Sequence, residues 1–130
     1  MIGRMGITVV GVTSYQQRVE KWLEACFPLS VRSGRAEPTH RFLEVAFELA
    51  QANSWSRDDT IAFVNYAFGR PKGSPQQEVG GVMVTLASLH STSEIHVDKA
   101  GNDELARNWA QIHALQTRQQ SKPHSSSLPQ

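Results

Sequence analysis

The chain is poor in cysteine and in long apolar runs. Its single cysteine, Cys26, has no partner for an internal disulfide, and no spaced Cys/His pairs suggest a zinc site. We therefore expect a reducing compartment, the cytoplasm. No run reaches the roughly 18 apolar residues that a membrane span needs. The start of the chain also lacks the pattern of a secretory signal, so we expect a soluble protein with no membrane partner.

The chain also lacks an excess of charge of either sign. Lys and Arg together number 13 and Asp and Glu 12, which gives a formal net charge of +1. A balanced chain has no general attraction to nucleic acid or to anionic membranes, and no helix concentrates Arg or Lys as a recognition helix does. A DNA-binding protein or small helical adaptor is therefore the weakest of three functional hypotheses, and any affinity for phosphate must be local.

Apolar side chains recur at helical spacing in five segments, and no segment makes a convincing strand. The predicted helices run from Ser14 to Phe27, from about Thr39 to Ala52, from Ser56 to Gly69, from Ser74 to Leu89, and from about Asp98 through Leu115. Ser14, Ser56 and Ser74 are predicted N-caps. At 130 residues the chain fits one domain. We expect an all-α bundle of about five helices.

The ends of the chain are predicted to lie outside this domain. Residues 1–13 form an irregular arm, with either Met1 or Met5 as the natural start. The helical domain spans residues 14–120. Residues 121–130 are rich in Ser and Pro and are predicted to be disordered.

Glu78 falls on the predicted buried face of the fourth helix, which it shares with Val82 and Leu89. A buried carboxylate needs a cation, a metal or a proton to compensate its charge. The alternative is an exposed residue in the first turn, where a carboxylate interacts well with the helix dipole. In the same helix Gly80 and Gly81 each cost about 1 kcal/mol relative to alanine. They predict close packing or room for a ligand at an interior junction.

Glu44 and Glu48 lie one turn apart in a narrow polar strip of the second helix, which is otherwise apolar. If the strip faces a cleft, the two carboxylates and Glu78 form a partial cage of oxygen ligands for Mg²⁺ or Mn²⁺. The alternative is a solvated face that Arg41 neutralises. Both interpretations remain open from the sequence.

Two runs of residues carry a resemblance to a known family. The run Arg41–Leu49 contains Glu44 and Glu48, and the run Glu78–Leu86 begins with Glu78. Together they resemble the Glu-Glu-x-x-Glu and Glu-x-x-Asp elements of the MazG-like, all-α nucleoside triphosphate pyrophosphohydrolases, which include phosphoribosyl-ATP pyrophosphohydrolase. In its run Gly-Gly-Val-Met-Val-Thr-Leu-Ala the chain resembles small phage and prophage-type proteins. The chain departs from the family at Val45 and Gly81, where the pattern has carboxylates.

The resemblance implies a helical bundle completed by dimerisation, in a dimer or tetramer. It implies Mg²⁺- or Mn²⁺-dependent hydrolysis of a nucleoside triphosphate to the monophosphate and pyrophosphate. The implied metal ligands are Glu44, Glu48 and Glu78, with Glu44 also a candidate general base. Basic side chains must then meet the triphosphate, and the candidates are Arg41, Arg70, Lys72, Arg118 and Lys122. The alternative is a catalytically impaired member that binds nucleotides or another protein.

Overall fold

The fold is all-α, as predicted. The computed structural model describes residues 13–112, 114 and 117–118. Within these residues there is no strand, and the helices are α1 (Tyr15–Cys26), α2 (Leu29–Arg32), α3 (Ala36–Ala52), α4 (Arg57–Phe68), α5 (Pro75–Leu89) and α6 (Val97–Ala110). None of the described helices is both long enough and apolar enough to span a membrane. Except for Thr13, the predicted arm and tail lie outside the described residues, as does most of the chain beyond residue 112.

Three helices begin at the serines that the sequence predicts as N-caps. The side-chain oxygens of Ser14, Ser56 and Ser74 each accept a hydrogen bond from the backbone N–H three residues further on, at 3.1, 3.0 and 3.2 Å. Each bond satisfies one of the N–H groups that the first turn of a helix leaves without an intrahelical partner. Local sequence therefore determines where α1, α4 and α5 begin.

The segment between α1 and α3 differs from the prediction, which placed a loop there. Leu29–Arg32 forms the short helix α2, because Val31 is buried against the core and holds the turn in place. The next helix, α3, begins at Ala36 and not near Thr39. Pro38 becomes its third residue, a position where a missing N–H costs no intrahelical hydrogen bond.

A small core lies around α1. Among the described residues it contains five buried apolar ones, Trp22, Cys26, Phe27, Val31 and Leu105. Helix α1 packs against α6 and α2, and α2 packs against α3. The Trp22 and Phe27 rings meet edge to face with centroids 5.8 Å apart. At the other end of α1, the Tyr15 hydroxyl donates to the Gly101 carbonyl at 2.9 Å, which ties α1 to α6.

Helices α4 and α5 contribute no buried residue to this core. On α4 the aromatic side chains Phe63, Tyr66 and Phe68 are 58, 59 and 88% exposed. Exposed apolar side chains are normally scattered singly over a protein surface, whereas here they occupy most of a helix. The described part of one chain therefore leaves the apolar surface of α4 uncovered.

The prediction that Glu78 lies on a buried face of α5 is wrong for the single chain. Glu78 is exposed, and so are Val82 and Leu89, which share its face. A Cβ built on Gly80 or Gly81 meets no described atom within 4 Å outside its own helix. The helical pattern identified which residues share a face, but nothing in the described chain covers that face.

Candidate functional site

Two carboxylates and one arginine meet at the middle of α3. Glu44 and Glu48 lie one turn apart on this helix, and Arg118 reaches both from the C-terminal part of the chain. Its Nη2 atom is 2.6 Å from Glu44 Oε2 and 3.6 Å from Glu48 Oε2. Glu44 is the least exposed of the three, at 26%, whereas the other two side chains are about half exposed.

The chemistry of this group follows from its charges. Like charges one turn apart on a helix repel each other, and the guanidinium of Arg118 offsets that repulsion between Glu44 and Glu48. Carboxylate oxygens are also the ligands that Mg²⁺ prefers, while a guanidinium binds phosphate oxygens in a bidentate geometry. The group therefore combines carboxylate oxygens that can bind a hard cation with a guanidinium that can donate hydrogen bonds to an anionic substrate. Among the predicted phosphate-binding residues that the structure describes, Arg118 is the one placed at the acidic pair.

Glu78 does not join the acidic pair in the described chain. No three His, Cys, Asp or Glu side chains among the described residues lie close enough together to hold a metal ion. The Glu78 carboxylate instead lies over Gly73, where an added Cβ would collide with Glu78 Oε2. It thus sits beside the start of its own helix, as the alternative interpretation of this residue expects. Glu44 and Glu48 therefore offer carboxylate oxygens from two side chains, and Glu78 does not add to them within the described chain.

Arg41 pairs with Glu37 and contacts Phe27. Its Nη1 atom lies 3.1 Å from Glu37 Oε1, and its guanidinium carbon lies 5.0 Å from the centre of the Phe27 ring. The Glu37 side chain is only 1% exposed. This buried pair joins the first turn of α3 to the core, so Arg41 is held away from the acidic strip that it was expected to neutralise.

Sequence reasoning missed Glu37 altogether. The available signal was its spacing of four residues from Arg41, at which opposite charges pair on a helix. That spacing predicts an ion pair between Glu37 and Arg41, but it does not indicate whether the pair is buried. The burial arises because α2 and Phe27 pack over the first turn of α3, and α2 was itself not predicted.

The remaining candidate residues lie apart from this pair or outside the described chain. Arg70 lies over the Tyr66 ring, with its guanidinium carbon 5.6 Å from the ring centre, and Lys72 is exposed in the following turn. Lys122 lies outside the described residues. At the positions where the family pattern has carboxylates, Val45 is 60% exposed and Gly81 has open space beside it.

Cys26 lies in the core next to Arg41 and has the properties of a structural residue. Burial raises the pKa of its thiol above the usual value of 9.0, and the positive charge of Arg41 opposes that shift without cancelling it. Because the thiolate is the reactive form of cysteine, a raised pKa keeps Cys26 unreactive near neutral pH. The core therefore supplies no activated thiol to the candidate site.

Comparisons of the chain with protein-family models, with curated proteins and with solved structures found no match. The resemblance to the all-α pyrophosphohydrolases stays a prediction from the two quoted runs, and the site is argued below from its geometry.

Replacing Arg41 or Arg118 by methionine should distinguish the buried ion pair of Arg41 from the exposed ion pair of Arg118. We expect Arg41→Met to lower the free energy of unfolding by about 3 kcal/mol, because it leaves the buried Glu37 carboxylate without its partner. Arg118→Met should change it by less than about 1 kcal/mol, since that pair is largely exposed. Urea denaturation followed by circular dichroism measures both values. Equal losses in the two variants would contradict the assignment of Arg41 to the core.

Proposed function

We propose that this chain is a Mg²⁺-dependent nucleotide pyrophosphohydrolase that converts a nucleoside triphosphate to the monophosphate and pyrophosphate. The observation that carries the proposal is the approach of Arg118 to Glu44 and Glu48. A phosphate-binding side chain and two cation-binding side chains come together from distant parts of the sequence. Metal-dependent phosphate hydrolysis needs both kinds of group at one place.

Each residue of the group has a defined role under this proposal. Glu44 and Glu48 would hold Mg²⁺ together with water and phosphate oxygens, and the bound cation would neutralise charge on the phosphates and acidify a water molecule. Glu44, the less exposed carboxylate, is the candidate to accept the proton of the attacking water. Arg118 would exchange its carboxylate partners for phosphate oxygens when a nucleotide binds.

A second candidate function is a catalytically impaired relative that binds nucleotides or another protein without turnover. The observation that favours it is the loss of carboxylates at Val45 and Gly81, together with the position of Glu78 beside Gly73. Two carboxylates hold a divalent cation more weakly than four. Such a protein would keep Arg118 as an anion-binding residue and lose the chemical step.

The proposed activity predicts magnesium-dependent release of pyrophosphate from at least one nucleoside triphosphate. We expect Glu44→Gln to lower the rate by roughly 100-fold, because it removes a carboxylate that binds the cation and accepts a proton. Glu20→Gln is the matched control, since Glu20 is an exposed carboxylate on α1. Its rate should equal that of the wild type.

Two outcomes would count against the activity. Release that is unchanged in Glu44→Gln would show that this pair is not the catalytic site. No release from any triphosphate, combined with nucleotide binding in calorimetry, would select the impaired relative.

We also propose that the functional protein is a homo-oligomer in which a second copy covers α4 and α5. Six aromatic side chains of α3, α4 and the turn between them are between 45 and 88% exposed: Phe42, Phe47, Trp55, Phe63, Tyr66 and Phe68. At the usual size of an aromatic side chain they expose on the order of 700 Å². The contribution of one partner to a stable interface is about 800 Å², so these residues alone come close to it.

The composition of the two helices supports a second copy as the occupant. From Thr60 to Gly69 there is no charged residue, and in α5 Glu78 is the only one. A helix that faced water permanently would carry more charge. The open space beside Gly80 and Gly81 would let another helix approach the α5 backbone closely. Apolar surfaces of this kind, exposed on both helices, could pair with the same surfaces of a second copy in a twofold arrangement.

Phe68 gives the sharpest test of this interface, because at 88% exposure it contributes little to the fold of one chain. We expect Phe68→Asp to weaken association by tenfold or more, a loss of about 1.4 kcal/mol, while each chain remains helical. Leu29→Asp is the matched control, since Leu29 is 63% exposed on α2, away from the proposed interface. Sedimentation velocity measures both. A wild-type chain that sediments as a monomer at every concentration would disprove the oligomer.

A further inference from the structure

A cavity of about 710 Å³ is lined by residues of α1, α3, α5 and α6. Its volume is in the range of pockets that hold a drug-sized molecule. Most of the lining is apolar. It includes Leu49, Met83, Leu86, Ile95 and Val97. The acidic pair on α3 and Arg118 do not line the cavity, so it is separate from the candidate site.

Helix α5 contributes one side of this cavity. Met83, Leu86 and His90 line it, and their spacing of three and four residues places them on one face of the helix. That face lies roughly 90° around the helix from the face of Val82 and Leu89. The Met83 side chain is 65% exposed. The apolar lining is therefore a second uncovered surface of α5, distinct from the face of Val82 and Leu89.

The N-terminal segment, residues 5–12, is apolar and precedes α1 in the sequence. It contains no charged residue, and four of its eight side chains are apolar and β-branched: Ile7, Val9, Val10 and Val12. A segment that stays in water usually carries many charged and polar residues, whereas Ile and Val are among the residues most often fully buried. The composition of the N-terminal segment therefore favours contact with an apolar surface.

The link to α1 brings the N-terminal segment to the edge of the cavity. Tyr15 lines the cavity and is two residues from Thr13, so the Cα atoms of these residues are at most about 7 Å apart. From Thr13, six residues of extended chain reach about 20 Å, about twice the distance between two packed helices. Residues 7–12 are therefore within reach of the cavity lining. Because this tether is short, the effective concentration of the segment at the cavity is on the order of millimolar.

We propose that the N-terminal segment binds in this cavity of its own chain through its apolar side chains. The proposal is independent of the proposed function, since it uses neither the acidic pair nor Arg118. The bound segment covers Met83 and connects α5 with α1 and α6, two helices that pack against each other. A second copy has no such tether, so it competes with the segment only at a comparable concentration.

The test attaches a nitroxide spin label to the N-terminal segment of the full chain. Gly6→Cys provides the attachment point, because Gly6 is not one of the apolar side chains in question. The native Cys26 is 2% exposed and stays unlabelled. The label broadens the ¹H–¹⁵N NMR signals of amides near it. We expect the Met83 and Leu86 amides to lose more than half of their signal intensity.

Substitutions in the N-terminal segment distinguish binding from mere tethering. Adjacent residues of an extended segment face opposite sides, so Val9→Asp together with Val10→Asp places a charge on whichever side contacts the cavity. We expect this pair of changes to restore most of the intensity of the Met83 and Leu86 signals. Ser125→Asp together with Ser126→Asp adds the same charge near the other end of the chain and should leave the broadening unchanged. Circular dichroism should show the same helical content in every variant.

A second pair of variants changes the cavity and leaves the N-terminal segment intact. Ala100 lines the cavity, whereas Ala106 is exposed on the same helix and does not. Ala100→Leu should restore the intensity of the Met83 and Leu86 signals, because the added side chain occupies space that the segment needs. Ala106→Leu should keep the broadening of the unchanged chain.

Three results would overturn the proposal. The first is no broadening at Met83 and Leu86, and the second is equal broadening in the Val9 and Val10 double variant and in the unchanged segment. The third comes from a mixture of ¹⁵N chains without a label and spin-labelled ¹⁴N chains. Broadening of the Met83 and Leu86 signals in that mixture would assign the segment to the cavity of a second copy, whereas unchanged signals support binding within one chain.

Discussion

Contact between water and the apolar faces of α4 and α5 is the constraint on which the account depends. Within the described part of the chain, the core around α1 buries five apolar residues, while α4 and α5 bury none. A helix of 12 to 15 residues is marginally stable in water without tertiary packing. In the proposed oligomer a second copy covers these two helices, and their low charge makes a like surface on that copy suitable.

The candidate site lies between the packed end and the uncovered end. Helix α3 begins in the core, where Arg41 and Glu37 form a buried pair, and continues into the region where Phe47 is exposed. Glu44 lies between these two regions, and Glu48 directly follows Phe47. Covering the open side would remove water from the surroundings of the two carboxylates and strengthen their interactions with a cation and with Arg118. Assembly and function are thus coupled in this proposal.

Local signals in the sequence predicted much of the fold. The serine caps at Ser14, Ser56 and Ser74 gave the helix starts, and apolar spacing gave five of the described helices. The short helix α2 was missed, because one turn held by the burial of Val31 leaves no periodic pattern. Glu37 was missed for a related reason. A spacing of four residues predicts an ion pair with Arg41, but tertiary packing determines whether that pair is buried.

Of the two interpretations of Glu78, the structure agrees with the exposed one in the described chain, because a helical wheel shows which residues share a face and not what covers it. For the candidate site, the acidic pair could be predicted from spacing alone. The contact of this pair with Arg118, which is 74 residues from Glu44 in sequence, depends on the fold.

Hydrogen exchange of the backbone amides tests the central claim most directly. The account predicts that the amides of α4, residues 57–68, are protected about as strongly as those of α1, because a second copy covers them. Rapid exchange of the α4 amides at every protein concentration, with α1 protected, would contradict it.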